Sequence, residues 1–355
     1  MNANWLEKIK SVLMDDESER IFDLRVLYGD TLDEKYLAQL GDAFRNKVCQ
    51  SEEWRKFTDK INTCDGDLVL YGAGIYGAQL LELTPYVKWK SIIAKEVSRE
   101  SLHSVPIVQI DKYFSDYQGD YIVITSKRYK EEMQEYLLAK GVDDGNIIDG
   151  TILYDLTEGR QYFDLEDLPH LDGQEVFADV GSCDGMSAVQ FLKWCNGNGY
   201  AYCFEPDEKN IKGLEANMKA KCITSEQYEV IRKGAWNMDG TVYFDAKGTA
   251  GSCICEDVES DKGSVESIEV TSLDNVFLDK KVTFIKMDIE GAELKALEGA
   301  QRIIAEQKPK LAICVYHKPE DILEIPMYIL ELNRDYKFYL RHYSFEGLET
   351  VLYAV

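Results

Sequence analysis

The fold of this chain follows from the stretch Val176-Phe-Ala-Asp179-Val-Gly181-Ser-Cys-Asp184-Gly185, which leads into an apolar helical segment. Apolar residues run up to an acidic side chain, and two glycines then flank a short polar turn. Glycine lets the backbone adopt positive φ angles and approach a ligand closely. The first turn of a helix offers backbone N–H groups without partners. The stretch therefore predicts a strand, a ligand-binding turn and a helix, with a turn that binds no ligand as the alternative.

A further acidic residue follows Gly185 after twenty positions, in Phe204-Glu205-Pro206. A carboxylate at the end of the next strand is placed to accept hydrogen bonds from two ribose hydroxyls. Asp179 and Asp184 would repel a phosphate, but they suit a cationic ligand with an amino-acid tail. The two strand ends therefore favour S-adenosylmethionine over NAD.

From residue 175 onward, strand-length apolar runs alternate with helical ones, which predicts an α/β domain with a mostly parallel sheet. The predicted strands are 176–180, 200–204, 228–232, 283–288 and 309–316, and the predicted helices are 186–195, 207–220, 292–306 and 320–333. Two last runs, Tyr336–Tyr343 and Glu349–Val355, predict a terminal β-hairpin.

The rest of the chain predicts three further regions. Residues 1–62 have helical periodicity and no catalytic pattern, so a cap or a dimerisation arm is expected. Residues 63–150 alternate strand and helix patterns and predict a small Rossmann-like α/β domain. Residues 151–173 form a polar, acidic connector, and residues 174–355 form the domain described above.

Residues 175–355 resemble the FkbM family of S-adenosylmethionine-dependent methyltransferases. The resemblance rests on Phe177–Gly185, Phe204–Pro206, Gly234–Asn237 and above all Phe284–Leu294, while Tyr316–Asp321 and Arg341–Tyr343 are similar to one branch of the family. It implies the seven-stranded class I methyltransferase sheet with an antiparallel last strand. The terminal hairpin agrees with that implication independently.

The resemblance also implies residues that contact S-adenosyl-L-methionine. These are Asp179, Gly181, Gly185 and Glu205, with Asn237 at the position where the adenine is contacted and Asp288 beside the transferred methyl group. Trp236 either packs on the adenine or fills the core.

Proton removal from an acceptor hydroxyl directs attention to His317, which follows a predicted strand at the same sheet edge as Asp288 and Glu290. An alcohol is a poor nucleophile until its proton leaves, so His317 is the candidate general base. A divalent cation held by His317, Asp288, Glu290 and His342 is an alternative. A structural role for both histidines also stays open.

The small domain carries its own glycine pattern, Gly72-x-Gly74-x-x-Gly77, between a predicted strand and a helix. A nicotinamide-dependent oxidoreductase is therefore an alternative function. The next strand ends without a convincing acidic residue, since Glu96 is the nearest candidate, and only about half of a dinucleotide-binding fold fits in the available length. Ligand binding and a purely architectural role both stay open for this domain, which resembles recognition domains attached to some methyltransferases.

Composition narrows the function further. The chain has 40 basic and 64 acidic residues, a net charge of −24, which argues against binding to nucleic acid or to an anionic membrane surface. Nine cysteines without a zinc-site spacing predict free thiols in a reducing cytosol and no structural metal; Cys253 and Cys255 are the only close pair. No signal peptide and no membrane span are expected.

The sequence thus predicts a cytoplasmic S-adenosylmethionine-dependent O-methyltransferase. The expected acceptor is a hydroxyl on a saccharide or another small metabolite, and a homo-oligomer is compatible with the N-terminal helices. A non-catalytic scaffold that keeps the cofactor fold is the remaining alternative.

Overall fold

A computed structural model describes residues 3–163, 165–166, 168–170, 174–245, 253–255 and 265–355. The chain divides into two compact units. The large unit comprises residues 1–42 and 161–355, and the small unit comprises residues 43–160. Parts of the predicted connector, residues 164, 167 and 171–173, lie outside the described residues, as do the side chains of Cys253 and Cys255.

The N-terminal segment is helical, as its periodicity indicates, but it is divided between the two units. Its helices are α1 (Ala3–Lys10), α2 (Asp16–Thr31), α3 (Lys35–Gln50) and α4 (Glu52–Asn62), and the division falls inside α3. Ile9 and Phe22 are fully buried in the core of the large unit, whereas Trp54 and Phe57 are buried in the small unit. These apolar faces explain why the division differs from the predicted boundary at residue 62.

The small unit contains a six-stranded sheet. Its strands are β1 (Leu68–Tyr71), β2 (Trp89–Ala94), β3 (Ser101–Leu102), β4 (Val105–Gln109), β5 (Tyr121–Ile124) and β6 (Ile147–Asp149), in the order β3-β4-β2-β1-β5-β6. Its further helices are α5 (Ile75–Leu83), α6 (Ile110–Phe114), α7 (Lys130–Ala139) and α8 (Ile152–Leu156), with a 3₁₀ turn at Asp144–Asn146. All pairs are parallel except β3 with β4.

A seven-stranded sheet forms the centre of the large unit. Its strands are β7 (Glu175–Val180), β8 (Gly199–Phe204), β9 (Tyr228–Ile231), β14 (Phe284–Met287), β15 (Lys310–Cys314), β16 (Phe338–His342) and β17 (Thr350–Ala354), in the order β16-β17-β15-β14-β7-β8-β9. The last strand, β17, inserts antiparallel between β15 and β16. This is the predicted class I methyltransferase sheet, and the predicted terminal hairpin is its closing element.

Helices connect the strands of this sheet. They are α9 (Met186–Trp194), α10 (Glu208–Ala220), α11 (Leu273–Val276), α12 (Glu293–Glu298) and α13 (Asp321–Leu332), with a π-helical turn at Ile303–Gln307. Phe177 and Phe284, from neighbouring strands, are fully buried, and the ring of Phe177 stacks on Phe191 of α9 at 4.6 Å between centroids. Aromatic burial on this scale contributes much of the stability of such a core.

A second sheet was not predicted. It contains β10 (Gly234–Ala235), β11 (Gly240–Asp245), β12 (Cys253–Cys255) and β13 (Val265–Thr271), in the order β10-β13-β11-β12. Trp236 and Val242 pack against buried Ile268 and Val270 of this sheet.

The strand order places a topological switch point at β7, which has β8 on one side and β14 on the other. From β7 the chain continues outward through β8 and β9, and it later returns to β14 on the other side of β7, so a crevice opens outside the carboxyl ends of these strands. The candidate site residues Asp179, Glu205, Asp288 and His317 all lie at or just beyond the carboxyl ends of β7, β8, β14 and β15.

Candidate active site

The glycine turn after β7 is required by the backbone itself. Gly181 has φ +82°, and a Cβ added there would lie 2.0 Å from the carbonyl oxygen of Asp288. Gly185 has φ +77°, and its Cβ would lie 2.7 Å from Leu214 Cγ. L-residues with side chains rarely adopt such angles. The two glycines therefore bring the ends of β7 and β14 together and seat α9 against α10, whether or not a ligand is bound.

Asp179 is fully buried at the penultimate position of β7. Ser187 Oγ donates to its Oδ2 at 2.6 Å, and Lys286 Nζ lies 3.4 Å from its Oδ1. Lys286 Nζ donates instead to the carbonyl oxygen of Gly181 at 2.7 Å. Within the described residues, Asp179 Oδ1 accepts no hydrogen bond. The carboxylate thus supports the turn and keeps one oxygen for a further donor.

Burial and charge act in opposite directions on the Lys286 ammonium. Burial alone would lower the pKa of Lys286, but the carboxylates of Asp179 and Asp288 raise it above its usual value. Lys286 is therefore charged at neutral pH and links the two acidic strand ends. A lysine within the apolar strand Phe284–Met287 was the available sequence signal for this residue, and it was missed.

Glu205 follows β8 and is 5% exposed. Its two oxygens accept one backbone N–H each, from Cys183 and from Asp207, both at 2.9 Å. Burial, the largest influence, raises the pKa of Glu205 to about 7. The side chain of Asn210 also hydrogen-bonds to Glu205. A carboxylate has about four acceptor positions, so Glu205 is not saturated with donors.

Asn237 lies beyond β10, and its side-chain amide donates to Glu298 Oε2 at 3.1 Å. Its Oδ1 is buried and has no hydrogen-bond partner among the described residues. The neighbouring Gly299 is tightly packed, since its Cβ would lie 2.0 Å from the carbonyl oxygen of Trp236. Of the two roles considered for Trp236, packing on the second sheet is the one that the structure shows.

Asp288, Glu290, Glu293 and His317 form a cluster beyond the ends of β14 and β15. His317 Nδ1 lies 3.0 Å from Glu293 Oε1, and Nε2 lies 3.5 Å from Asp288 Oδ1 and 3.8 Å from Glu290 Oε1. Glu290 has φ +56°, a strained angle for a residue with a side chain, and it precedes Gly291 at φ +91°. The turn between β14 and α12 thus directs three carboxylates toward one imidazole.

The electrostatics of this cluster favour the charged forms of both His317 and Asp288. Burial alone would lower the pKa of His317, but Glu293, followed by Asp288 and Glu290, raises it to about 9. Burial alone would raise the pKa of Asp288, but Lys286 and His317 lower it. The side chain of His317 is 8% exposed, and neither ring nitrogen makes an aligned hydrogen bond within the described residues despite the short distance to Glu293.

Two tyrosines that were not predicted hold Asp288. Tyr162 Oη donates to Asp288 Oδ2 at 2.9 Å, and Tyr316 Oη donates to Oδ1 at 3.2 Å. Tyr162 has φ +75°, and its backbone N–H donates to Tyr353 Oη at 3.0 Å. It lies in the polar connector, in which no residue pattern predicts a site. Tyr316 adjoins His317 and was visible only as part of the family motif.

The structure separates His342 from the cluster. His342 Nδ1 lies 2.9 Å from Thr350 Oγ1, and Nε2 lies 2.8 Å from the carbonyl oxygen of Glu346. Burial, with the nearby Arg25 guanidinium, lowers the pKa of His342 to about 3. The expectation that His342 converges with His317 is therefore wrong, because both of its nitrogens have partners within the terminal hairpin.

The glycine turn of the small unit also has a backbone explanation. Gly72 has φ +118°, and a Cβ on Gly77 would lie 2.4 Å from the carbonyl oxygen of Gly72. Nothing lies within 4 Å of a Cβ on Gly74. Glu96, the nearest acidic residue after β2, is exposed, so this turn has no counterpart of Glu205.

Comparison with known proteins agrees with the geometry of the large unit. The family model of the methyltransferase FkbM domain matches residues 179–338. The resemblance predicted from the sequence motifs is thereby confirmed for these residues.

Several solved structures are similar to the chain at low sequence identity. A methyltransferase FkbM from Methylobacillus flagellatus KT is 21% identical, with 91% of this chain and 100% of that chain covered and a TM-score of 0.46. Fibrillarin from Aeropyrum pernix, solved with natively bound S-adenosyl-L-methionine, is 12% identical over 54% of this chain and 71% of its own, with a TM-score of 0.34. A putative methyltransferase from Streptococcus mutans in complex with SAH is 12% identical over 52% and 91%, with a TM-score of 0.33. No curated protein matches the chain.

The cofactor that the resemblance to these methyltransferases implies is S-adenosyl-L-methionine. The residues at the switch point fit it, because the Glu205 carboxylate is not saturated with donors and Asp179 Oδ1 is a buried acceptor without a hydrogen-bond donor among the described residues. Over the part of the chain that the structure describes, no helix is long and apolar enough to cross a bilayer.

Proposed function

We propose that this protein transfers a methyl group from S-adenosyl-L-methionine to a hydroxyl oxygen of a saccharide or another small hydroxylated metabolite. One observation carries the proposal. A buried carboxylate suited to a ribose, Glu205, and a cluster of acidic side chains around His317 follow strands of one sheet at the same edge. Donor recognition and proton removal thus have separate groups at one crevice.

The donor side uses the turn after β7 and the end of β8. Glu205 accepts hydrogen bonds from the two ribose hydroxyls, in addition to those from Cys183 and Asp207. Asp179 Oδ1 and the backbone of Gly181 and Gly185 face the amino-acid part, where the carboxylate of Asp179 attracts the ligand's ammonium group. Asn237 Oδ1, buried without a donor, accepts a hydrogen bond from the adenine.

On the acceptor side, Asp288, Glu290 and His317 handle the hydroxyl. S-adenosyl-L-methionine supplies a methyl group on a positively charged sulfur. In the transfer, the hydroxyl O–H bond breaks, a new C–O bond forms, and the C–S bond breaks with its electron pair left on sulfur. Asp288, fixed by Tyr162 and Tyr316, orients the hydroxyl so that its oxygen lies in line with the methyl–sulfur bond.

His317 can serve the proton step in two ways. In its neutral form, which is the minority below its pKa of about 9, the imidazole accepts the proton directly, with Glu293 at 3.0 Å stabilising the imidazolium that results. Alternatively, His317 is a ligand of a cation that acidifies the hydroxyl. Both ways make turnover depend on His317 while donor binding depends on Glu205, so the two residues separate binding from chemistry.

The function is tested by an acceptor screen with radiolabelled methyl donor. The purified protein is incubated with hydroxylated saccharides and small metabolites, each paired with its deoxy analogue. Label that appears only with the hydroxylated member and survives mild alkali identifies an ether rather than a methyl ester. Label on the deoxy analogue would contradict transfer to that oxygen.

Calorimetric titration with S-adenosyl-L-methionine and, separately, with NAD tests the choice of cofactor. Binding of S-adenosyl-L-methionine alone supports the proposal, whereas binding of NAD alone would replace it by the oxidoreductase. Donor binding without turnover on any acceptor would favour the non-catalytic scaffold.

A further inference from the structure

We propose that Asp288, Glu293 and His317 form a binding site for one divalent cation, which takes part in methyl transfer by binding the acceptor oxygen. This inference rests on the proposed function, because it names the group that removes the obstacle to attack by an alcohol. It makes His317 a ligand rather than the general base.

The spacing of the three side chains suits a single ion. One ligand atom from each of Asp288, Glu293 and His317 can be chosen so that all three lie within 4.8 Å of one another. Ligands bound to one ion at about 2.0–2.2 Å lie about 3–4 Å apart. Small rotations of these side chains would therefore close the set around a cation. Among the described residues, these three side chains form such a group.

Two side chains of this group carry buried polar atoms without a hydrogen-bond partner among the described residues. Neither nitrogen of His317 has an aligned hydrogen bond within the described part of the chain, although its side chain is only 8% exposed. Glu293, whose side chain is 1% exposed, uses Oε1 to accept the N–H of Ile289 at 2.8 Å. Its Oε2 is buried without a hydrogen-bond partner. Buried polar atoms are nearly always satisfied. A cation that displaces the proton of His317 would satisfy one of its nitrogens together with Oε2 of Glu293.

The surrounding charge has the sign that a cation requires. Three carboxylates, those of Asp288, Glu290 and Glu293, surround one imidazole. The ammonium of Lys286, which lowers the pKa of Asp288, also lies 3.4 Å from Asp179 and donates to the Gly181 carbonyl oxygen at 2.7 Å. Leaving several carboxylates in a poorly hydrated place is costly unless a cation is near.

The donor atoms narrow the choice of ion. Two carboxylate oxygens with one imidazole nitrogen form a mixed set, in which oxygen favours Mg²⁺ and Mn²⁺ and nitrogen favours transition metals. Mn²⁺ accepts both kinds of ligand and is the probe for this site. Glu290 Oε1, 3.8 Å from His317 Nε2, is close enough to add a fourth ligand.

The chemistry balances without a further reactant. Bound to the cation, the acceptor hydroxyl has a lowered pKa, and its proton passes to solvent water. The electron pair of the O–H bond stays on oxygen and forms the C–O bond to the methyl carbon. The C–S bond breaks, and its pair remains on sulfur. The cation keeps its oxidation state and is not consumed.

The test uses the full chain, freed of metal with a chelator, and Mn²⁺ alone without donor or acceptor. Free Mn²⁺ is followed by electron paramagnetic resonance and total binding by calorimetry. Wild type is compared with His317→Ala and Glu293→Gln. Glu320→Gln is the matched control, because it removes an exposed carboxylate near His317 in sequence that lies outside the cluster. Thermal melting with and without Mn²⁺ gives an independent readout on wild type.

The expected result is one equivalent of Mn²⁺ in wild type and in Glu320→Gln, with affinity lowered at least about tenfold in the two cluster variants. Absence of binding to wild type, or equal binding by all four proteins, would overturn the site. The wild-type titration decides even if a cluster variant fails to fold.

A separate titration with S-adenosyl-L-methionine in the presence of chelator keeps this test apart from that of the function. Donor binding without Mn²⁺ binding refutes the cation site and leaves the function standing. Absence of donor binding refutes the function, whatever Mn²⁺ does.

Discussion

The two units of this protein contain the same motif of strand, glycine turn and helix, but different polar residues lie around it. In each, a buried strand ends in a glycine turn that opens a helix, at Gly181–Gly185 in the large unit and at Gly72–Gly77 in the small unit. In the large unit, the next strand ends at a buried carboxylate, Glu205. In the small unit, the corresponding residue, Glu96, is exposed.

The comparison shows that the glycines themselves do not identify a ligand site. Gly181 and Gly77 are both explained by backbone crowding, since an added Cβ would lie 2.0 Å and 2.4 Å from a carbonyl oxygen. Ligand chemistry comes from the polar groups that other strands bring to the same edge. The large unit has three such groups beyond the ends of β8, β14 and β15, namely Glu205, Asp288 and His317.

The largest expected effect is on turnover. His317→Ala should leave the affinity for S-adenosyl-L-methionine nearly unchanged and lower turnover by roughly 10²–10⁴-fold, because the step that frees the acceptor oxygen loses its group. Steady-state rates and calorimetry on the same preparation check this. His342→Gln is the matched control, since His342 is the other buried histidine of this unit and lies outside the cluster. It should melt at a lower temperature and keep its rate per folded molecule. Near-normal turnover in His317→Ala would remove His317 from the chemistry.

The next largest effect is expected from adding a side chain to the glycine turn of the large unit. Gly181→Ala should destabilise the fold by roughly 2–4 kcal/mol, because a Cβ at φ +82° adds backbone strain to a close contact with Asp288. It should also displace the carboxyl ends of β7 and β14, where we propose that the methyl donor and the acceptor bind. Thermal melting and donor titration measure the two consequences. A variant as stable as wild type would contradict the close approach of β7 and β14.

A smaller effect is expected from the ribose carboxylate. Glu205→Ala should weaken binding of S-adenosyl-L-methionine by about 1–3 kcal/mol, because two hydroxyls lose a charged acceptor. Glu96→Ala makes the same change at the corresponding strand end of the small unit and should leave the affinity unchanged. Calorimetry on both variants checks the pair. Equal affinities of the two variants for S-adenosyl-L-methionine would contradict the proposed difference between the two strand ends.

The same carboxylate predicts a dependence on pH. Burial raises the pKa of Glu205 to about 7, so the free protein takes up a proton there as the pH falls below 7. Ribose hydroxyls donate to the charged form, so affinity for the donor should fall by up to about tenfold per pH unit from pH 7 to pH 5. Glu205→Gln should lack this part of the dependence. Parallel profiles for the two proteins would contradict the assignment.

The free protein should respond to pH in the opposite direction at this group. The pKa of Glu205 is higher in the folded state than its ordinary value of 4.5. The folded state therefore binds the proton more readily, and its stability gains from protonation between pH 7 and pH 4.5. Melting curves of wild type and Glu205→Gln separate this contribution from that of other groups.

The sequence was sufficient for features that depend on local pattern. The strands that carry the site, the terminal hairpin and the carboxylate at position 205 follow from apolar runs and spacing. Tyr162 could not be found in this way. It reaches Asp288 across 126 positions of sequence from a polar segment without periodicity.

The second sheet and the division of the N-terminal helices were missed for a related reason. The sheet pairs β10 with β13 and β11 with β13 across a stretch whose strand pattern is interrupted. The N-terminal residues pack on the last strands, as the hydrogen bond from Leu340 N–H to Ser18 Oγ shows across 322 positions. Contacts between such distant residues are decided by the assembled fold and leave no periodic trace.

The smallest expected effect belongs to the small unit, at Gly74→Ala. Gly74 has φ −81°, which alanine adopts without strain, and nothing lies within 4 Å of the added Cβ. Alanine is a poorer residue than glycine at the start of a helix. It also restricts the unfolded chain, which stabilises by about 0.4–1 kcal/mol. These contributions oppose each other, so the free energy of unfolding should change by less than about 1 kcal/mol. Thermal melting checks this, and the affinity for S-adenosyl-L-methionine should equal that of wild type. A weaker affinity in a normally folded Gly74→Ala protein would show that donor binding is not confined to the large unit. It would contradict the proposal that only the glycine turn of the large unit belongs to a donor site.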